Sequence, residues 1–169
     1  VWMAVNLNYN TSGASWCYND KTANCEVYGM LYDWQSAISA CPEGWHLPSE
    51  EEWDVLIEFS GGKKVAGGNL KETGYAHWAA PNQGAKNRFA FNALPGGLKD
   101  MYVKPAPPGM AVSQKEKSFD RIGKSATFWT SSKAGGKSAR YIEILYDEEK
   151  CYHETQSVKS GLSIRCLKN

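Results

Sequence analysis

Cys41-Pro42-Glu43-Gly44-Trp45-His46-Leu47-Pro48-Ser49-Glu50-Glu51-Glu52-Trp53 is the stretch from which the rest of the chain can be read. Ser49 and Glu52 form a capping box: the Ser hydroxyl accepts the orphan amide three residues on, and the Glu carboxylate reaches back to the Ser amide. Acidic residues in the first turn also suit the positive end of the helix dipole. Trp53, Leu56 and Ile57 then supply a buried stripe, and Gly61-Gly62 stops the helix. On the other side of the stretch, Trp34, Ala37, Ile38 and Cys41 recur at i, i+3, i+4 and i+7. That spacing predicts a first helix over Leu31 to Ala40 with one apolar face, ended by Pro42.

Further out, Val1 to Tyr9 alternates apolar Trp2, Ala4 or Val5, and Leu7 with polar neighbours and reads as a strand. Thr11 to Asn24 is rich in Ser, Gly, Asn and Asp and reads as a surface loop whose ends carry Cys17 and Cys25. A bridge there would contribute about 2.5 kcal/mol in the chain-entropy account. Asn69 to Phe91 reads as short strands and long loops, and Leu94-Pro95-Gly96-Gly97 as a tight turn. Lys104 to Lys117 reads as a proline-rich, then charged, projecting loop. Strand patterns return at Ala126 to Ser131, at Arg140 to Tyr146 and at Leu162 to Leu167. In the second, Ile142, Ile144 and Tyr146 face one way and Tyr141, Glu143 and Leu145 the other; in the third, Leu162, Ile164 and Cys166 share a face. There is no internal repeat. Two helices early and β-structure late make an α+β domain.

The whole chain, 1–169, has the length of one domain with a real core. A net charge of +1 points to no nucleic-acid groove and no acidic-membrane patch. The interspersed lysines and acids are expected to form a solvated surface of mixed sign. No apolar run reaches the ~20 residues that span a bilayer. Because the chain starts at Val1, it is expected to be a processed or excised piece, with any signal peptide or lipid anchor removed. Cys17, Cys25, Cys41, Cys151 and Cys166 include no Cys-x-x-Cys pair, which argues against a zinc ribbon or a thioredoxin-type motif. Two disulfides and one leftover thiol, in an oxidising extracellular or cell-surface setting, are the simpler expectation; five reduced, buried thiols would leave the same sequence pattern.

Six blocks, in order, resemble one family. They are Trp2-Met3-Ala4-Val5-Asn6-Leu7-Asn8-Tyr9, Tyr28-Gly29-Met30-Leu31-Tyr32-Asp33-Trp34, the stretch Cys41 to Trp53, Ala93-Leu94-Pro95-Gly96-Gly97, Phe128-Trp129-Thr130-Ser131-Ser132 and Gly161-Leu162-Ser163-Ile164-Arg165-Cys166. Together they resemble the Fibrobacter succinogenes major paralogous domain, a branch of the C-type-lectin-like superfamily near the formylglycine-generating enzyme fold. The resemblance implies two helices packed on short, mostly antiparallel sheets with long loops. It also implies a bridge from Cys41, at the end of the first helix, to Cys166 in the last strand, contributing up to about 5 kcal/mol in the entropy account. With Cys17 joined to Cys25, Cys151 is left odd, either buried and inert or a surface thiol for intermolecular bonding. Two departures stand out. Family members usually carry another short strand before the Trp-Met pair, so an edge strand is expected to be missing or supplied elsewhere. The Met101 to Ser118 loop is longer than expected, so a site on it would be particular to this protein.

Catalytic and metal chemistry find little support. His46, His77 and His153 are scattered, without ligand spacing. His46, between Trp45 and Leu47, reads as a packed, hydrogen-bonded residue, and His77 as the better functional candidate. Asp147-Glu148-Glu149 reads as a solvated turn rather than a cation site. The calcium-binding Glu-Pro-Asn and Trp-Asn-Asp triplets of sugar-binding lectins of this fold are absent, since Ala80-Pro81-Asn82 lacks the carboxylate. The formylglycine-generating relatives need a reactive cysteine pair near the C-terminus, and Cys166 is already assigned to the structural bridge.

Binding is better served. Sugars present apolar faces that stack on rings and hydroxyls that bond to amides and carboxylates. Tyr75, His77, Trp78, Asn82 and Gln83 provide that mixture in one loop, and Tyr141, Glu143, Tyr152, His153 and Glu154 near the last hairpin. In this fold the two regions are expected to share a face, although Trp78 and Tyr141 read equally well as core residues. Trp34, Trp45, Trp53 and Trp129 are assigned to the core, and Trp16 and Tyr18 to a separate exposed patch. The expectation is a non-catalytic bacterial extracellular or cell-surface module, without cofactor or metal, that binds polysaccharide. The rivals are a protein-binding receptor or adhesin domain, and a structural subunit of a surface assembly, for which Cys151 and the absent strand would be motives.

Overall fold

The computed structural model describes residues 1–101 and 118–169. The loop expected over Lys104 to Lys117 lies outside them. The first half contains β1 (Ser15–Trp16), a 3-10 turn (Tyr18–Asp20), α1 (Thr22–Tyr28), β2 (Leu31–Tyr32), α2 (Trp34–Ala40), β3 (Trp45–His46), α3 (Glu50–Phe59) and α4 (Ala66–Leu70). The second half contains β4 (Leu98–Asp100), β5 (Ser118–Asp120), β6 (Ser125–Gly135), β7 (Ser138–Leu145), β8 (Cys151–Ser157) and β9 (Leu167–Lys168). The domain is α+β, built on small antiparallel sheets: β1 with β2, β3 with β9, β4 with β5, and the three-stranded β6-β7-β8.

That last sheet organises the core, because helices pack against both of its faces. Trp129 and Tyr141 point into a cluster with Trp34, Ala37 and Ala40 of α2. Phe128, Ile142 and Ile144 point into another with Trp53, Leu56 and Ile57 of α3. A strand between two apolar layers loses the alternation of a half-exposed one, so β6 is buried at every position from Ser125 to Thr130. The Ser49–Glu52 capping box forms with both of its hydrogen bonds. Cys17 is joined to Cys25, and Cys41 to Cys166, with Cα atoms 5.0 and 5.9 Å apart.

Several local readings are corrected by long-range contacts. Val1 to Tyr9 is not a strand: Trp2 makes an isolated bridge to Leu167, and Met3 and Leu7 donate to the carbonyls of Cys166 and Ile164. Arg165 competes for the ladder there by donating to the carbonyls of Met3 and Ala4. The expected loop over Thr11 to Asn24 holds β1, the 3-10 turn and the start of α1, whose Cys25 the disulfide ties to the turn's N-cap, Cys17. The helix expected from Leu31 begins at Trp34, because Leu31 and Tyr32 pair with β1 and the Asp33 side chain caps the Ser36 amide. Ile38 faces solvent, and Ser36 is buried in its place, its hydroxyl accepting from the Ala14 amide.

Beyond α3, the sequence reading of Asn69 to Phe91 missed the end of α4, a five-residue helix containing Gly67 and Gly68. The strand expected over Leu162 to Leu167 survives as bridges and β9 alone, although Leu162, Ile164 and Cys166 are buried as read. Trp34, Trp53 and Trp129 lie in the core, whereas Trp45 on β3 is half-buried. Tyr18 is buried against Phe119, and Trp16 is half-buried under the Lys99 ammonium at 4.5 Å, so these rings form no exposed patch. Nor are all the lysines and arginines solvated, since Lys71, Lys99 and Arg165 are buried.

Candidate functional site

A cleft of about 340 Å³ opens beside the β5–β6 turn, lined by Arg121, Lys124, Leu145, Tyr146 and Asp147. Local backbone chemistry builds one wall. Arg121 adopts a left-handed conformation (φ 64°), Gly123 another (φ 79°), and the Arg121 carbonyl accepts from the amides of Lys124 and Ser125. A non-glycine residue held at positive φ is strained, and such strain persists only where the surroundings impose it. Here the Arg121 guanidinium is drawn to the Glu143 carboxylate at 2.7 Å, and the Ser125 hydroxyl donates to the same oxygen at 2.7 Å. Glu143 is thereby satisfied although buried, while Arg121 keeps about 45% of its side chain exposed.

The other wall is the end of β7. The Tyr146 amide donates to the Lys124 carbonyl (2.9 Å), and the Gln83 amide donates to the Tyr146 carbonyl (2.7 Å). The Ala79 amide donates to Gly123, so the 79–83 loop, the β5–β6 turn and the β7–β8 turn meet at one place. The Lys124 ammonium lies 5.9 Å from the centre of the half-buried Tyr146 ring. Next to the cleft, the Tyr152 hydroxyl donates to Glu148. That bond pushes the phenol up to about 12 and holds the Glu148 carboxyl below the usual range. Burial, then the nearby Glu143 carboxylate, raises the Tyr141 phenol.

The ten residues selected from sequence separate into three groups. Trp78, Asn82, Tyr141 and Glu143 are internal, which corrects their reading as ligand contacts. The Trp78 indole donates to the Ala93 carbonyl at 3.0 Å, and Tyr141 packs edge-on to Trp129. The Asn82 amide group donates to the carbonyls of Glu72 and Gly74. Tyr75, Gln83 and Glu154 are exposed, and Tyr152 and His77 half-buried, with Glu72 fixing the His77 ring at 2.9 Å. His153 is directed elsewhere. Tyr152 and Glu154 pair with Glu143 and Tyr141, so His153 between them emerges on the opposite face of the sheet, against Glu50 (2.9 Å) and Asp54 (3.2 Å) of α3.

Sequence reading missed Arg121 and Lys124 as site residues and treated Tyr146 and Asp147 only as strand and turn. The available signal was Asp120-Arg121-Ile122-Gly123-Lys124, a charged turn leading into a buried strand. His46 is hydrogen-bonded as read, to Asn169 and Glu52, but it is half-exposed rather than packed. A second concavity, an apolar groove of about 390 Å³, lies between Trp2, Phe91 and the exposed side chains of Val55, Phe59 and Phe89. Among the described residues, no group of three His, Cys, Asp or Glu side chains is placed to hold a metal ion.

The family model described as the Fibrobacter succinogenes major domain matches residues 1–168. The chain belongs to that family. The match runs from the Trp2 bridge to β9, so the buried sheet, both disulfides and the cleft all lie within the Fibrobacter major domain itself. No curated protein and no solved structure is significantly similar to the chain. None of the helices in the described residues is long and apolar enough to cross a membrane. The two disulfides fit an oxidising compartment.

Proposed function

We propose that this Fibrobacter major domain is a non-catalytic binding module of an extracellular or cell-surface bacterial protein, with a C-type-lectin-like fold, and that its ligand is a polysaccharide. The observation that carries the reading is the cleft between Arg121 and Asp147. There an aromatic face (Tyr146), two cationic donors and a carboxylate converge on a space the size of a small ligand. A sugar ring stacks its apolar face on an aromatic ring, and its vicinal hydroxyls bond to paired donors and acceptors. Gln83, whose amide donates to the Tyr146 carbonyl, and Tyr152, whose hydroxyl donates to Glu148, add polar groups beside it. Affinity electrophoresis through a panel of soluble polysaccharides tests this. At least one should retard the native protein, and Tyr146→Ala and Arg121→Ala should abolish the retardation. Retardation unchanged in both variants rules out the cleft.

A protein-binding adhesin or surface-assembly role is the alternative, and the apolar groove beside Phe59 and Phe89 favours it, since exposed apolar patches mark contact surfaces. Indifference to every polysaccharide, together with self-association or binding to surface proteins that Phe59→Ser removes, would support that role.

A further inference from the structure

The wall of the cleft formed by Leu145, Tyr146 and Asp147 belongs to a turn that converges on one internal cation. Lys71, at the end of α4, has no exposed surface. Its ammonium donates to the carbonyls of Gln83 (2.8 Å), Leu145 (2.9 Å) and Glu148 (2.8 Å), and lies 5.4 Å from the centre of the Trp78 ring. An ammonium has three donors and no acceptor, and here three acceptors from two separate segments meet it. Removing such a charge from water costs several kcal/mol, which packing alone would not require. What the arrangement accomplishes is geometric.

The neighbourhood supports the same reading. Burial lowers the Lys71 pKa to about 8, and the nearby Glu149 and Asp147 carboxylates offset part of that cost, so the ammonium persists at neutral pH. The Gly68 amide donates to the Glu149 carbonyl (3.0 Å), and the Lys86 amide to the Gly68 carbonyl (2.8 Å). Gly67 and Gly68 allow this approach: a Cβ on Gly67 would stand 2.4 Å from the Lys150 carbonyl oxygen, and one on Gly68 2.5 Å from that of Gly84. α4 therefore backs both the 83–86 loop and the 145–150 turn, with Lys71 reaching through to join them.

We propose that Lys71 is the positioning residue of the cleft, its ammonium gathering the carbonyls of Gln83, Leu145 and Glu148 so that the turn presents Tyr146 and Asp147 to a ligand. The ligand side of this rests on the polysaccharide reading above, whereas the ordering of the turn stands apart from it.

Lys71→Met keeps an unbranched side chain, one heavy atom shorter, and removes its charge and donors. Two quantities decide the matter, both measured well below the unfolding temperature: amide hydrogen exchange, and affinity for whichever polysaccharide retards the native protein. The amides of Gln83 and Gly68 should exchange at least about tenfold faster while those of Trp129 and Ile142 keep their protection, as expected for local opening. Affinity should fall by about tenfold or more, since a site that must be ordered on binding is weaker. Ile142→Val, which trims the core away from the turn, should lower stability and leave affinity unchanged. In Lys71→Ala, added propylammonium should restore both quantities and propanol neither. Should Lys71→Met fail to fold, Lys71→Gln, which retains two donors, replaces it.

A loosened turn with unchanged affinity overturns the proposal, and so does lost affinity with a protected turn. If no polysaccharide retards the native protein, the carbohydrate reading falls, and the exchange measurement alone decides whether Lys71 sets the turn.

Discussion

Cys41 and Cys166 are bonded to each other across 125 residues of sequence, and their Cα atoms lie 5.9 Å apart. Cys41 follows directly on α2, and Cys166 directly precedes β9, which pairs with β3. The bond therefore fastens the first-half helices to the end of the chain, beside the sheet they cover.

Loss of that bond should be felt more than loss of its partner. Loop-closure entropy predicts that Cys41→Ser/Cys166→Ser costs up to about 5 kcal/mol, against about 2.5 kcal/mol for Cys17→Ser/Cys25→Ser. Urea unfolding of the two double variants checks this. Equal losses would mean that the longer loop is already compact in the unfolded chain.

Cys151 is buried, and burial pushes its thiol up to about 12. Because the thiolate is the reactive form, the folded protein should resist iodoacetamide at pH 8, and labelling should follow the fraction unfolded in denaturant. Rapid labelling of the native protein would instead point to an exposed thiol suited to intermolecular bonding.

His46 faces an oxygen acceptor at each ring nitrogen, Asn169 Oδ1 at Nδ1 and the Glu52 carboxylate of the capping box at Nε2, an arrangement in which both nitrogens can donate only when the ring is protonated. The bond to Asn169, then that to Glu52, raises its pKa despite some desolvation. A histidine whose folded pKa lies above its unfolded value of about 6.5 adds stability that is complete below that value. The contribution is lost as pH rises through the folded pKa. Folding free energy measured from pH 5 to 9 should therefore decline across that window in the native protein, and more weakly in His46→Gln. Identical profiles would show that the pairing is energetically silent.

Gly67 tests how closely α4 must approach the β7–β8 turn. With backbone oxygen 2.4 Å from the position of a Cβ, the helix or the turn has to move in Gly67→Ala. Such overpacking costs about 1–3 kcal/mol. Exchange at the Gly68 amide, bonded to Glu149, should rise more than exchange in β6. A variant of native stability would mean that the turn yields freely.

The lower part of this architecture was legible because it is written within a few residues. Ser49 and Glu52 meet across one helical turn, so α3 and its cap could be read from spacing alone. The Ile142 and Ile144 face follows from the two-residue period of a strand. The resemblance added what spacing could not, the pairing of Cys41 with Cys166.

The candidate site was only partly visible. Of the residues read as ligand contacts, Tyr75, Gln83 and Glu154 are exposed and Tyr152 is half-buried, but Trp78, Tyr141 and Glu143 are of the same residue types and face inward. An aromatic or acidic side chain carries no local mark of which side of a doubly covered sheet it will occupy. Arg121 was overlooked for the converse reason, since nothing near it in sequence indicates that Glu143 will lie 2.7 Å away.

The sequence by itself determined the two main helices, two of the three strands of the central sheet (β6 and β7, but not β8) and the family, because capping, periodicity and block order are properties of neighbouring residues. Only the tertiary structure decided that Lys71 and Arg165 lie inside the molecule and that a cleft opens between Arg121 and Asp147. Lys71 can be buried because carbonyls converge on it, and a cleft exists only where distant segments meet. Those carbonyls come from residues 12, 74 and 77 positions away from Lys71, a separation over which local pattern carries no information.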